Sequence, residues 1–282
     1  MFKQVTIMGP GLLGASLVMA IREKGLAENI VIWARSKETA EKAGRKLAAD
    51  QVETNLAESV YGSDLVIICT PVETMASILS STIKHLTDEC LVTDVGSVKS
   101  VICEKAQDLF KLPGISFIGS HPMAGSEKSG MNNASASLFT NRPVIVTPES
   151  NCDQNHLRRL KEFWGVLGMK VYQLSSAEHD KVIAELSHLP HLVSSVLSFT
   201  ISSKAKLASQ LSGQGLKDTI RISGGDPSLW TGIFSENKAQ VLTCLKKFEQ
   251  SIEKIKHLIA EDDGQGLEEF LKKGSALQKF LN

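Results

Sequence analysis

Over the first 174 residues the apolar positions fall into short, nearly continuous runs separated by longer amphipathic stretches, and beyond Ser175 those runs stop. The runs at 5–8, 29–33, 65–69, 91–95, 115–118, 144–147 and 170–174 have strand length, and near-continuous apolarity is what a strand covered on both faces of a parallel sheet requires. Between them, 15–24 and 157–167 carry helical spacing. Alternating strands and helices predict an α/β fold, and the remainder reads as helix alone, so two domains are expected: 1–174 and 175–282.

The first run passes directly into Gly9-Pro10-Gly11-Leu12-Leu13-Gly14 and then into the helix at 15–24. Strand, glycine turn and helix form the context in which this spacing binds a dinucleotide. Gly9 and Gly11 permit a tight turn and close approach of backbone to a pyrophosphate, Gly14 lets helix and strand pack closely, and the helix start at Leu12 and Leu13 offers free N–H groups at the positive end of the dipole. The first domain is therefore expected to be a Rossmann domain. An acid at the tip of the second strand would hold the ribose 2′-hydroxyl of NAD, but this tip reads Trp33-Ala34-Arg35-Ser36. A cation and a hydroxyl suit a 2′-phosphate, so NADP is favoured over NAD. Thr70-Pro71 and Gly96-Ser97 follow the third and fourth runs, at strand ends where open sheets of this kind bind ligands. Ser97 is placed to reach the nicotinamide edge or His121; its alternative role is to cap a helix starting at Val98.

The stretch 119–130, GSHPMAGSEKSG, reads as a glycine-studded loop carrying His121 to the same rim. Imidazole titrates near neutrality, which suits proton transfer. In the helical half, 177–204 holds Glu178-His179-Asp180 near its start and Ser187-His188-Leu189-Pro190-His191 in its middle, and Pro190 predicts a kink beside the two histidines. His188 and His191 share a helix face, but no third ligand at compatible spacing accompanies them, so no metal is expected. Lys217 and Arg221 lie four apart, the latter suited to grip a carboxylate; Asp226 reads as an N-cap with Pro227 at the first helical position. From Val241, apolar Leu245, Phe248, Ile252, Ile255 and Ile259 recur in steps of four and three. With Leu267, Phe270, Leu271, Leu277 and Phe280 beyond Gly264, this predicts a homodimer through the C-terminal helices.

Charge changes the picture only by exclusion. Thirty-one basic residues balance thirty-one acidic ones, which argues against nucleic acid or a membrane surface as the main partner and leaves room for a local cationic pocket that takes a small anion. No apolar run approaches the length of a membrane span, and five scattered cysteines indicate neither a disulfide framework nor a zinc site, so a cytoplasmic protein is expected.

In order along the chain, GPGLLG, DVGSVKS, GSHPMAGSEKSG, EHD, SHLPH, KDTIRI and DPSLW resemble the prephenate dehydrogenase family of tyrosine biosynthesis. The resemblance implies a Rossmann domain joined to a helical dimerisation domain. It implies oxidative decarboxylation of prephenate to 4-hydroxyphenylpyruvate with hydride transfer to NAD or NADP; arogenate, which yields tyrosine directly, is the alternative substrate. By the same resemblance His121 accepts the proton of the 4-hydroxyl and Ser97 orients it. Ser187, His191, Lys217 and Arg221 surround the substrate's carboxylates, and Glu127 stands at the pocket mouth as a gate. Two more distant readings differ in their residues: a β-hydroxy acid dehydrogenase calls for a catalytic Lys on the long helix, where this chain has Lys181 near the start but histidines at its centre, and a non-catalytic dinucleotide sensor has no use for His121.

Overall fold

The computed structural model describes residues 1–87, 89–110, 114–125 and 129–281. Six strands form a parallel sheet: β1 (Phe2–Met8), β2 (Ala27–Trp33), β3 (Gln51–Glu53), β4 (Leu65–Ile68), β5 (Leu91–Asp94) and β6 (Ser116–Phe117), in the spatial order β3-β2-β1-β4-β5-β6. The strand order reverses between β1 and β4, the point at which open sheets of this class hold ligands. Helices α1 (Leu12–Lys24), α2 (Lys37–Lys46), α3 (Leu56–Val60), α4 (Val72–Thr82) and α5 (Ser100–Leu109) make the crossovers. Ile7, Ile32, Leu65 and Ile67 lie in one buried apolar cluster; Met8, Val66, Ile68 and Val92 lie in another. This is the covering of both sheet faces that the continuous apolar runs predict.

The sequence reading differs from the structure at the next step. Residues 119–122 are a strand and not a loop: β7 (Gly119–Pro122) pairs antiparallel with β8 (Pro143–Thr147), and β8 pairs parallel with β9 (Lys170–Gln173) in a second, three-stranded sheet. The run at 115–118 thus ends one sheet while its continuation starts another. Ile118 N still donates to Val92 of the first sheet, whereas His121 sits opposite Ile145 in the second. The joint is held from the side. Thr93 Oγ1 donates to the Ile118 carbonyl at 2.6 Å and shares a 2.8 Å hydrogen bond with Ser120 Oγ, which also accepts from Trp164 Nε1 on α6 (Gln154–Val166).

The helical part comprises α7 (Ser176–Ile183), a π-helical turn at Ala184–His188, α8 (Leu189–Ile201), α9 (Ala205–Leu211), α10 (Gln214–Ile220), α11 (Pro227–Glu236), α12 (Lys238–Ala260) and α13 (Gly264–Leu281). Asp226 caps α11, accepting from Ser228 N and Leu229 N, with Pro227 first in the helix. The stretch Ser176–Leu211 is one continuous helical run, long and apolar enough by length and composition to cross a membrane, contrary to the expectation that no run approaches that length. It carries buried His179, Asp180, His188 and His191, which belong to the site below. Contacts divide the chain into two compact units, Met1–Asn237 and Lys238–Asn282. In the second, α12 and α13 leave Ile252, Ile259, Leu271, Leu277 and Phe280 exposed.

Candidate active site

Two cavities open at the C-terminal rim of the strands. The first, a cleft of about 880 Å³, is lined by Gly9, Pro10 and Gly11, by Thr70 and Pro71 after β4, by Arg35, Ser36, Thr39, Lys42 and Lys46, and by residues 129–133. Gly9 has φ +104°, and a Cβ there would stand 3.1 Å from the Cys69 carbonyl oxygen; a Cβ at Gly14 would stand 2.1 Å from the Gly9 carbonyl oxygen. The turn is therefore compatible with glycine alone at these two positions, and the cradle it forms fits a pyrophosphate laid against backbone. Helix α1 follows Gly11 with neither a side-chain cap nor an acid in its first turn, so its first N–H groups are left for an anion.

The other residues of the glycine turn take structural parts. Leu12, Leu13 and Gly14 do not line the cleft; Leu13 packs against the core and Gly14 is the close contact between helix and turn. The Ser36 hydroxyl is occupied as the cap of α2, accepting from Thr39 N at 3.2 Å and donating to Thr39 Oγ1 at 2.9 Å. Sequence reasoning missed Thr39, Lys42 and Lys46. Their spacing of three and four along α2 was the available signal, since it puts all three on one face beside Arg35.

The second cavity, about 440 Å³, gathers Ser97, His121, Met123, Ser187, His191 and Arg221, with Leu186, Ile222, Leu229, Trp230 and Ile233 as apolar wall. The structure thus brings together five of the sequence-predicted residues. Lys217 does not line this cavity: it is exposed on α10, whereas Arg221 starts the 3₁₀ turn Arg221–Gly224. Glu127 lies outside the described residues. A π-helical turn, Ala184–His188, stands ahead of Pro190, and His191 stacks on Trp230 with ring centroids 3.6 Å apart and planes 12° apart.

The ring of His121 is held by a residue to which the sequence reading gave no role. His121 Nδ1 lies 2.8 Å from His179 Nε2, and His179 Nδ1 lies 2.8 Å from Asp180 Oδ1. Ser97 shares the cavity, but His179 and not Ser97 holds Nδ1. Nor does Ser97 cap a helix at Val98: α5 starts at Ser100, and its first N–H groups are capped from α7, where Asp180 accepts from Lys99 N and Ser100 N, both at 2.8 Å. Below the ring, fully buried Lys99 pairs with fully buried Asp94. Asp94 also accepts from Gly96 N at 2.8 Å and Ser120 N at 3.1 Å, so one carboxylate ties the turn bearing Ser97 to the strand bearing His121.

Burial sets the protonation of this cluster. It drives His121 well below the ordinary imidazole range, and His179, Lys99 and His188 push the same way. Burial likewise lowers His179 against the opposing pull of Asp180, and brings His188 down to about 4. For Asp180 burial acts upward, but hydrogen bonds from His179, Ser100 and Lys99 outweigh it and hold the carboxyl below its usual range. The cluster is thus a neutral pair of imidazoles backed by an ionised carboxylate. Among the described residues no group of three or more His, Cys, Asp or Glu side chains is arranged to hold a metal.

Two family models match in succession: the prephenate dehydrogenase nucleotide-binding domain over residues 17–173 and the prephenate dehydrogenase dimerization domain over residues 175–273. The chain belongs to the prephenate dehydrogenase family. Within the family, a prephenate dehydrogenase of Lactococcus lactis is 31% identical over 99% of this chain and 77% of its own length. The crystal structure of prephenate dehydrogenase from Aquifex aeolicus, in complex with hydroxyphenyl propionate and NAD+, superposes with a TM-score of 0.89 at 30% identity, covering 99% of this chain and 98% of that one. Synechocystis arogenate dehydrogenase gives a TM-score of 0.84 at 31% identity, covering 99% of this chain and all of its own.

Proposed function

We propose that the chain oxidatively decarboxylates prephenate to 4-hydroxyphenylpyruvate, with NADP favoured over NAD, in the cavity around His121. The observation that carries this reading is a neutral imidazole and a guanidinium, His121 and Arg221, lining one partly apolar cavity next to a dinucleotide cleft. The bound dinucleotide supplies the hydride acceptor. As the ring C–H is lost as hydride, the hydroxyl proton passes to His121 Nε2, because Nδ1 is committed to His179. Cleavage of the bond to the ring carboxylate releases carbon dioxide; its electron pair passes through the ring to the carbonyl oxygen, which takes back the proton held by His121 as the ring becomes aromatic. Arg221, with donors from Ser187 and His191, grips a carboxylate of the substrate, and Ser97 contacts the hydroxyl. Leu186, Leu229 and Ile233 give the cavity an apolar wall on one side.

The cofactor preference is supported by Arg35, Lys42 and Lys46 on one side of the cleft and by the absence of an acid at Ala34. A domain border at 174/175 and a homodimer through the C-terminal helices are supported by the two matched models and by exposed Ile252, Ile259 and Leu271. Arogenate is the second reading, favoured by the likeness to Synechocystis arogenate dehydrogenase. A four-way assay of prephenate and arogenate, each with NADP and NAD, tests the substrate and cofactor readings. Prephenate with NADP is expected to give the highest kcat/KM, and Arg35→Ala to erase the NADP preference. Equal use of both cofactors before mutation would refute the cofactor reading, and preference for arogenate would exchange the substrate.

A further inference from the structure

We propose that Asp180 and His179 are positioning residues for the reaction, a carboxylate and an imidazole that together dictate which nitrogen of His121 carries hydrogen. The inference deepens the reading of His121 as proton acceptor and rests on it. A neutral imidazole has one N–H and one bare nitrogen, and the partner of either nitrogen decides the arrangement. Asp180 is where the decision starts. Its Oδ1 faces Lys99 N and His179 Nδ1 and its Oδ2 faces Ser100 N, so every contact requires the carboxylate to accept. His179 must therefore carry its hydrogen on Nδ1, which leaves its Nε2 bare. That bare nitrogen, 2.8 Å from His121 Nδ1, accepts in turn, so His121 also carries hydrogen on Nδ1 and presents a bare Nε2. Both imidazoles are held neutral by burial, which keeps this order intact.

The anchoring makes the order rigid. Asp180 bridges α7 to the first turn of α5, and its backbone carbonyl accepts from Asn237 Nδ2 at 2.8 Å, so it cannot turn away without uncapping a helix. The groups facing His121 are His179 from α7, Lys99 at the start of α5 and His188 from the π-helical turn, with Asp94 at the end of β5 neutralising Lys99. When His121 takes a proton, its Nδ1–H still points at an acceptor backed by a carboxylate, so the imidazolium is stabilised without rearrangement. No covalent step is involved beyond the proton transfer already described.

The test is nitrogen-15 NMR of the histidine rings of the full-length protein, with steady-state kinetics of two variants. In the unsubstituted protein at neutral pH, His121 and His179 are both expected to show hydrogen on Nδ1. In His179→Phe, the His121 hydrogen is expected to move to Nε2 and kcat to fall about tenfold to a hundredfold, with KM changed less than about threefold. In His179→Gln the amide oxygen can still accept from Nδ1, so the tautomer and most of kcat should return. A spectrum with hydrogen on His121 Nε2 in the unsubstituted protein overturns the proposal even if a variant fails to fold. So does a Phe variant that keeps kcat within about twofold. Near-normal kcat in His121→Asn, with the ring spectrum of the parent protein as expected, would instead mark failure of the proton-acceptor reading itself and remove the purpose of the relay.

Discussion

The His121 cavity is lined in part by residues 122–125 and the dinucleotide cleft in part by residues 129–133. They are built by opposite means. The cleft is a backbone feature: two glycines that tolerate no side chain, an uncapped helix start, and exposed cations that reach in from α2. The cations on α2 are exposed, so removing one of them weakens binding without disturbing the rest. The cavity is a side-chain feature. Its His121 is 7% exposed, and His179, Asp180, Lys99 and Asp94 behind it are more deeply buried and bonded to one another. Groups coupled in that way behave as a unit. The cations of the cleft are thus individually replaceable, whereas the groups around His121 cannot be exchanged one at a time.

The comparison is sharpest at His121 itself. His121→Asn is expected to lower kcat at least about a hundredfold with little change in KM, because the lost proton acceptor acts in the transition state; a variant with near wild-type turnover would break the distinction. Arg221 sits in the cavity but is exposed, so it should behave more like a cleft residue. Arg221→Ala is expected to raise KM for substrate about tenfold with a smaller change in kcat, since a carboxylate is held in ground and transition state alike. Unchanged saturation kinetics would put Arg221 outside the substrate's reach.

The smallest effect expected is on stability. Folded His188 stays neutral down to about pH 4, whereas in the unfolded chain it takes a proton near the ordinary imidazole value, about 6.5. Between those limits the unfolded state binds more protons, so stability declines as pH falls through that window; lowered His121, His179 and His191 act in the same direction. The thermal midpoint should drop by several degrees between pH 7 and pH 5, measured by calorimetry. A midpoint independent of pH there would mean the cluster is no more buried than the cleft.

What could be read from the sequence follows the same division. The cleft is legible because Gly9 to Gly14 are contiguous and their chemistry is local; only the basic face of α2 needed helical phasing to emerge. In the cavity, His121 announces itself by its neighbours, but its strand does not, because β7 is four residues long and its pairing partner lies beyond residue 142. Asp180 and His179 stand in plain view as neighbours on a helix, yet their role depends on a ring 58 residues away in sequence, which no local pattern encodes.

The π-helical turn at Ala184–His188 has an angular consequence. In an unbroken α-helix, twelve residues would set His191 about 120° around the axis from His179, since each residue advances about 100°. A π-turn absorbs one extra residue into the same rise, which leaves an effective separation of eleven and a phase of about 20°. The histidine that holds His121 and the histidine that faces the substrate cavity are thereby brought onto nearly the same side of one continuous helix. Their alignment is a matter of residue count: shortening Ala184–His188 by one would restore regular winding and rotate His191 away, with no change in the chemistry of any side chain.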